Sequence, residues 1–382
     1  MVLSISIVVS ISVFADTGHL NIQLKDSGVE SASISSISYI SQSDATLLAN
    51  ECIENQISIG THCTWDSTTA VKEIVKLFDF DNNVNAYLFR LSTGGKQTGY
   101  IIVNASVESP SVDAFGYDCD YMLDSISLNG SGKKVSTNDH VIWINAFTYL
   151  KYNESDQKYI DFSTNKPIDA TKQQLKNSYQ EQIAEDIDTN DKANLQLLKN
   201  NTVTPNQIVY TEHALSGIWS SGYPIYVTGD FHGYPDDCAP TAGTNLAYYW
   251  AHYGSPLKSN LWTGGVFVDL YKDMKTAAGI GTWSTDVIPG LEKYASSRNV
   301  STPISDYEGR NVNELTDYLY HDRPIIIFVN KDPKYGDHAI LAVGFQDTSD
   351  GKYIRVADGW SKTFSNFYKD SAYITNQITV WW

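Results

Sequence analysis

Cys238 lies in Tyr234-Pro-Asp-Asp-Cys-Ala-Pro-Thr-Ala-Gly-Thr-Asn-Leu-Ala-Tyr-Tyr-Trp250, where a turn-forming cluster runs into a helix-compatible stretch. A thiol in the first turn of a helix meets unpaired backbone N–H groups and the positive end of the helix dipole, both of which favour thiolate. Gly336-Asp-His-Ala-Ile-Leu-Ala-Val-Gly-Phe345 places His338 at the start of an apolar strand, and Tyr353-Ile-Arg-Val-Ala-Asp-Gly-Trp360 ends a second strand on Asp358. A strand backbone fixes a base rigidly. An acceptor where the next strand runs out can hold one imidazole nitrogen and leave the other for the thiol. Cysteine, then histidine, then aspartate is the order expected of a thiol acyl-transfer site.

Those residues need a frame. The spacing predicts a helix from Cys238 to about His252, ended by Gly254-Ser-Pro256, and further helices over Thr285–Ser297 and Asn311–His321. Strands are expected over Pro324–Asn330, His338–Gln346, Tyr353–Ala357 and Ser371–Trp382. Upstream, Ser41–Ile57 has helical spacing with Ser43 or Asp44 as cap, and Asn85–Leu91 with Gly99–Ala105 reads as a hairpin. Val112–Tyr117 and Val141–Tyr152 read as strands, and Asp169–Asn200 as a polar helix with few apolar positions. Tryptophan, tyrosine, glycine and proline become frequent after about residue 207, which marks a second domain.

The bulk numbers narrow the classes. The 382 residues suit two domains, and the hydrophobic content of 42% is that of a globular chain. A net charge of −17 with no basic run argues against a nucleic-acid partner. Residues 1–15 are apolar, uncharged and too short to span a bilayer, and Val13-Phe-Ala15 resembles a cleavage site, although a positive leading region is absent. We expect export to the extracellular space and no membrane span after removal of this signal. In an exported protein a Cys52–Cys63 bridge is open, as is Cys119 with either partner; the alternative is three buried free thiols. No paired-cysteine spacing suits zinc, so neither a metal nor a cofactor is expected.

The segments around Cys238, His338 and Asp358, with Tyr-Trp250 and Arg323-Pro-Ile-Ile-Ile-Phe-Val329, resemble the papain-like cysteine peptidases of the C39-like and streptopain-like bacterial branches. The resemblance covers about residues 208–382. It implies an α+β, papain-like fold with a helical half and an antiparallel β half, preceded by a smaller α+β prodomain. Tyr87-Leu-Phe-Arg-Leu, Gly99-Tyr-Ile-Ile-Val and Asp113-Ala-Phe-Gly-Tyr117 resemble a streptopain-type propeptide. The implied layout is a signal over 1–15, a propeptide or inhibitor-like domain over 16–130, a connector over 131–205 and the catalytic domain over 206–382. The implied activity is that of a secreted zymogen hydrolysing peptide bonds through Cys238, His338 and Asp358 by way of a thioester. Its partners are a protein or peptide substrate and its own prodomain as intramolecular inhibitor. Where these families carry an oxyanion glutamine six residues before the cysteine, this chain has His232, which can donate a hydrogen bond.

Two other readings use the same residues. A transglutaminase-like acyl transferase shares the triad and passes the acyl group to an amine. A surface binding or adhesion module with the same fold keeps Cys238 as a small core residue, Asp358 as a turn residue and His232 as a surface histidine.

Overall fold

The first described helix shows how local chemistry sets an element. Helix α1 runs over Gln42–Ile59 and is capped by Ser41, whose hydroxyl accepts the N–H of Asp44 while the Asp44 carboxylate accepts the N–H of Ser41. This reciprocal box satisfies two otherwise orphaned donors, so the cap lies at Ser41 rather than at Ser43 or Asp44. Ala45, Leu48, Ala49, Cys52 and Ile53 form its buried stripe.

In the computed structural model, the described residues are 38–382 apart from 61, 108–109, 122, 124–134, 163–165, 187–208, 219–222, 254–255, 302, 310, 330–337, 349–350 and 372–373. The expected signal over 1–15 and much of the expected connector lie outside them. Ile37–Trp382 form one compact unit. The fold is α+β. Its N-terminal lobe contains β1 (Ala70–Phe78), β2 (Val84–Thr93), β3 (Lys96–Asn104), β4 (Ser111–Tyr117), β5 (Ile142–Asn145), β6 (Thr148–Asn153), β7 (Lys158–Asp161), β8 (Pro167–Ile168) and α2 (Lys172–Asp186). Its C-terminal lobe contains β9 (Val209–Ala214), α3 (Cys238–Tyr253), α4 (Val266–Asp273), α5 (Ser284–Ser297), β10 (Ile304–Gly309) and α6 (Val312–Tyr320), then β11 (Ile325–Val329), β12 (His338–Thr348), β13 (Gly351–Ala357), β14 (Asn366–Lys369) and β15 (Ile374–Trp381).

One expected strand is divided and another is shortened. Val141–Tyr152 breaks into β5 and β6, because the side chain of Asn145 accepts the N–H of Phe147 at 2.8 Å and turns the chain. The C-terminal strand begins at Ile374 rather than Ser371, and β14 precedes it. The polar helix α2 buries Leu175 and Tyr179 against Phe80, Ile144 and Leu150, so two apolar residues suffice to dock it.

The strands form one sheet in the order β10-β15-β11-β12-β13-β14-β4-β3-β2-β1-β5-β6-β7-β8, with β9 pairing the far end of β12. Almost every pair is antiparallel; β1 meets β5 in parallel at Phe78 and Ile142. The sheet crosses from one lobe to the other at β14, which pairs β13 on one edge and β4 on the other. Side-chain alternation builds a core on each face. Phe89, Ile101, Val103, Phe115, Tyr117 and Phe367 pack with α1 on one face, while Leu88, Tyr100, Ile102 and Tyr368 join the larger core on the other. Burial on both faces explains why β2 and β3 are apolar without interruption. Each such side chain contributes about 1.5–3 kcal/mol by leaving water.

Candidate active site

Cys238 opens α3, as its position after Pro235-Asp-Asp predicts. Asp236 adopts a left-handed backbone with φ 58°, and the N–H of Thr241 then bonds the carbonyl of Asp237 at 2.9 Å to start the helix. The Asp236 carboxylate accepts the N–H of Gly279 and pairs with Lys166 of the N-terminal lobe. The cysteine loop is thus tied to a neighbouring loop on one side and to the other lobe on the other.

His338 opens β12, opposite Val329 of β11. Helix α3 and strand β12 meet here: the backbone N–H of Ala339, the next residue, reaches the Cys238 thiol. The His338 ring stacks on Trp360 at 3.9 Å and 14°. Its Nε2 lies 2.8 Å from the main-chain carbonyl oxygen of Asp358. A carbonyl only accepts, so Nε2 carries the proton and Nδ1 of the neutral ring is left as the acceptor.

Asp358 meets the imidazole through its main chain. Its carbonyl, rather than its carboxylate, receives the imidazole. The carboxylate is buried and turned inward. It accepts the N–H groups of Trp360 and Ser361, each at 2.9 Å, the Ser361 hydroxyl at 3.0 Å, and the amide of Asn366 at 2.7 Å. The Tyr368 hydroxyl is 3.4 Å away. These bonds close the Asp358-Gly-Trp-Ser361 turn and so aim the Asp358 carbonyl and the Trp360 ring at His338. Gly359 sits in this turn at φ 78°, where a side chain would strain the backbone. Thr228 anchors it from the segment before α3, donating to the Gly359 carbonyl through its N–H at 2.9 Å and its hydroxyl at 3.1 Å.

Burial governs the electrostatics. It pushes the Cys238 thiol up to about 11, against the N–H of Ala339, and the charge of Asp237 adds to the rise. Burial also lowers His338 to about 4, against the carbonyl of Asp358. At neutral pH Cys238 therefore rests as a thiol and His338 as a neutral imidazole, although the helix N-terminus favours the thiolate. Asp237, one residue before the cysteine, is buried and rises to about 7. Burial raises Asp358 as well, opposed by the N–H groups of Ser361 and Trp360.

His232 lies exposed on the turn before the cysteine loop, six residues ahead of Cys238. None of the four cysteines is in a disulfide, so neither Cys52–Cys63 nor a Cys119 bridge is formed. Among the described residues no group of three or more His, Cys, Asp or Glu side chains could hold a metal ion, and no helix is long and apolar enough to cross a membrane. Sequence reasoning missed Ser361, Asn366 and Tyr368. Ser361 had a signal, since a hydroxyl three residues after an aspartate is a common turn pattern. Asn366 and Tyr368 had none, because strand pairing brings them in.

Residues 220–381 match the Peptidase_C39 like family, and Cys238, His338 and Asp358 all fall inside the matched span. The match supports a cysteine peptidase of the C39-like kind acting on peptide substrates. No curated protein matches the chain.

Proposed function

We propose that the chain is an exported cysteine endopeptidase with Cys238 as nucleophile and His338 as base. One observation carries this reading above the others: the Asp358 carbonyl fixes the proton on Nε2 of His338, which leaves Nδ1 as an acceptor, while the N–H of the next residue, Ala339, reaches the Cys238 thiol. In the first step the Cys238 proton passes to Nδ1 as sulfur attacks the peptide carbonyl carbon. The carbonyl oxygen becomes an oxyanion, for which the Cys238 N–H and His232 are the proposed donors. The C–N bond then breaks, and the imidazolium gives its proton to the leaving amine. Water attacks the thioester and yields a proton to Nδ1. The C–S bond breaks, the acid leaves, and the thiol recovers its proton.

The resemblance implies a propeptide or inhibitor-like domain over 16–130. We read it instead as a lasting lobe of the folded enzyme, because its strand β4 continues the sheet through β14. The test compares wild type with Cys238→Ala on an unfolded protein substrate, followed by intact mass. The expected result is cleavage by wild type and none by the variant. Equal cleavage by both would remove Cys238 from the chemistry. No cleavage, with a Cys238 no more reactive than an ordinary thiol, would leave the binding-module reading standing.

A further inference from the structure

The turn that holds His338 is not built by the C-terminal lobe alone. Its link to the other lobe is the side-chain amide of Asn366, which is buried in the first position of β14. The amide nitrogen donates to the Asp358 carboxylate at 2.7 Å and to the Ser361 hydroxyl at 2.6 Å. The amide oxygen accepts from two N-terminal residues, the Tyr100 hydroxyl at 3.2 Å and the Cys119 thiol at 3.1 Å. An amide has one donating and one accepting end. Two donors on the oxygen side fix which end meets the carboxylate, whereas the flipped amide would set its oxygen against Asp358.

Two further facts show that this link is built into the lobe contact. Asn366 pairs with Gly116 across the β14–β4 ladder. A Cβ on Gly116 would come within 2.6 Å of both the Asn366 Oδ1 and the Cys119 sulfur, so the glycine is what lets the three groups converge. Burial and the nearby Asp358 charge also keep Cys119 a thiol, with its S–H available to donate.

We propose that Tyr100 and Cys119 are positioning residues for the Cys238–His338 pair, acting from the N-terminal lobe through Asn366 on the Asp358 turn. The chain of contacts is continuous: Tyr100 and Cys119 to Asn366, Asn366 to the Asp358 carboxylate, the Asp358 carbonyl to His338, and Ala339 to Cys238. The N-terminal lobe is then part of the working centre. The inference rests on the peptidase reading only in its kinetic measurement.

The experiment uses the full chain. Wild type, Tyr100→Phe/Cys119→Ala and Tyr100→Phe/Cys119→Ser are compared by the rate at which iodoacetamide modifies Cys238, followed by peptide mass across pH, and by kcat and KM on a peptide. The first variant loses both donors; the second restores one in the serine hydroxyl. Removing both donors is expected to slow Cys238 alkylation at pH 7 and kcat by about tenfold with KM unchanged. The serine variant is expected to recover most of the loss at a similar melting temperature. An alkylation profile that coincides with wild type, or a loss that follows melting temperature without rescue, overturns the proposal. Should the double variant not fold, Cys119→Ala alone is expected to slow alkylation about twofold, and no change would overturn the proposal. A wild type that cleaves no peptide, while its alkylation responds as described, leaves the positioning role intact and removes the peptidase reading.

Discussion

Two buried carboxylates flank the Cys238–His338 pair, and they are held in opposite ways. Asp358 accepts from Trp360, Ser361 and Asn366 within a closed turn. Asp237 lies one residue before Cys238, with its nearest side-chain donor, the Thr241 hydroxyl, at 3.5 Å. Both are buried, yet only Asp358 is richly compensated. A carboxylate with several donors is a fixed structural part. One that is buried with few donors titrates within the working range and acts on its neighbour by charge. The difference lies in the donors around each group rather than in the residue type.

The widest separation between them should come from removing Asp358. Asp358→Ala strands the buried donors of Trp360, Ser361 and Asn366. It is expected to cost about 3–5 kcal/mol in urea unfolding and to abolish measurable cleavage. Asp358→Asn keeps the carbonyl that His338 meets and an oxygen for the N–H groups of Trp360 and Ser361, and spoils the contacts with the Asn366 amide and the Tyr368 hydroxyl. If the carboxylate acts on the turn, this variant should retain cleavage at about one-tenth to one-hundredth of wild type. A loss as deep as that of the alanine variant would show that the carboxylate charge itself serves His338.

The pH profile is the next test. Burial lowers His338 from 6.5 to about 4. A depressed histidine stabilises the fold fully above the unfolded value and loses that contribution as pH falls toward the folded one. The acid limb of kcat/KM is therefore expected below 6.5, toward 4, with stability falling over the same window. An acid limb at 6.5 or above would mean that the histidine is not buried as described.

The two carboxylates also show what was legible in the sequence. The turn-to-helix change at Pro235-Asp-Asp-Cys238 and the apolar run after His338 are local signals, and the structure forms α3 and β12 there. Asp358 was found as a strand-ending acceptor, but which of its oxygens faces His338 depends on a turn closed by Ser361 and Asn366. The role of Asn366 was not legible because its partners Tyr100 and Cys119 are more than two hundred residues away in sequence and arrive through β4–β14 pairing. The same non-local pairing hid the continuous sheet: β4 was read as a short strand, β14 was not anticipated, and nothing in either specifies the other. Period-2 patterns identify strands but not their neighbours.

Asp237 offers a smaller effect with a definite sign. Its folded value of about 7 lies above the usual 3.8. A raised carboxyl contributes stability that is complete below the unfolded value and is lost as pH rises through the folded one. Asp237→Asn should therefore leave stability unchanged at pH 4 and raise it by on the order of 2–4 kcal/mol at pH 8. The ionised Asp237 also opposes the Cys238 thiolate, so the variant should be alkylated about twofold to fivefold faster at pH 8 and no faster at pH 5. A slower reaction at pH 8 would make Asp237 a helper of the nucleophile rather than a brake.

The smallest expected change sharpens the contrast by using an exposed charge at the same loop. Lys166 pairs with Asp236, two residues before Cys238, with about half of its side chain in solvent. Solvent-facing ion pairs are worth about 0.2–1 kcal/mol and are screened by salt. Lys166→Ala is accordingly expected to lower stability by no more than about 1 kcal/mol at low salt, and by less at high salt. It leaves the Asp236 charge less balanced, so Cys238 alkylation at pH 7 should slow by less than about twofold, with the difference fading as salt is added. The Asp237→Asn effect arises in a buried group and should persist in salt. If both effects faded together, the charge of Asp237 would be reaching the thiol through solvent, and its burial would not be what sets it apart from Asp236.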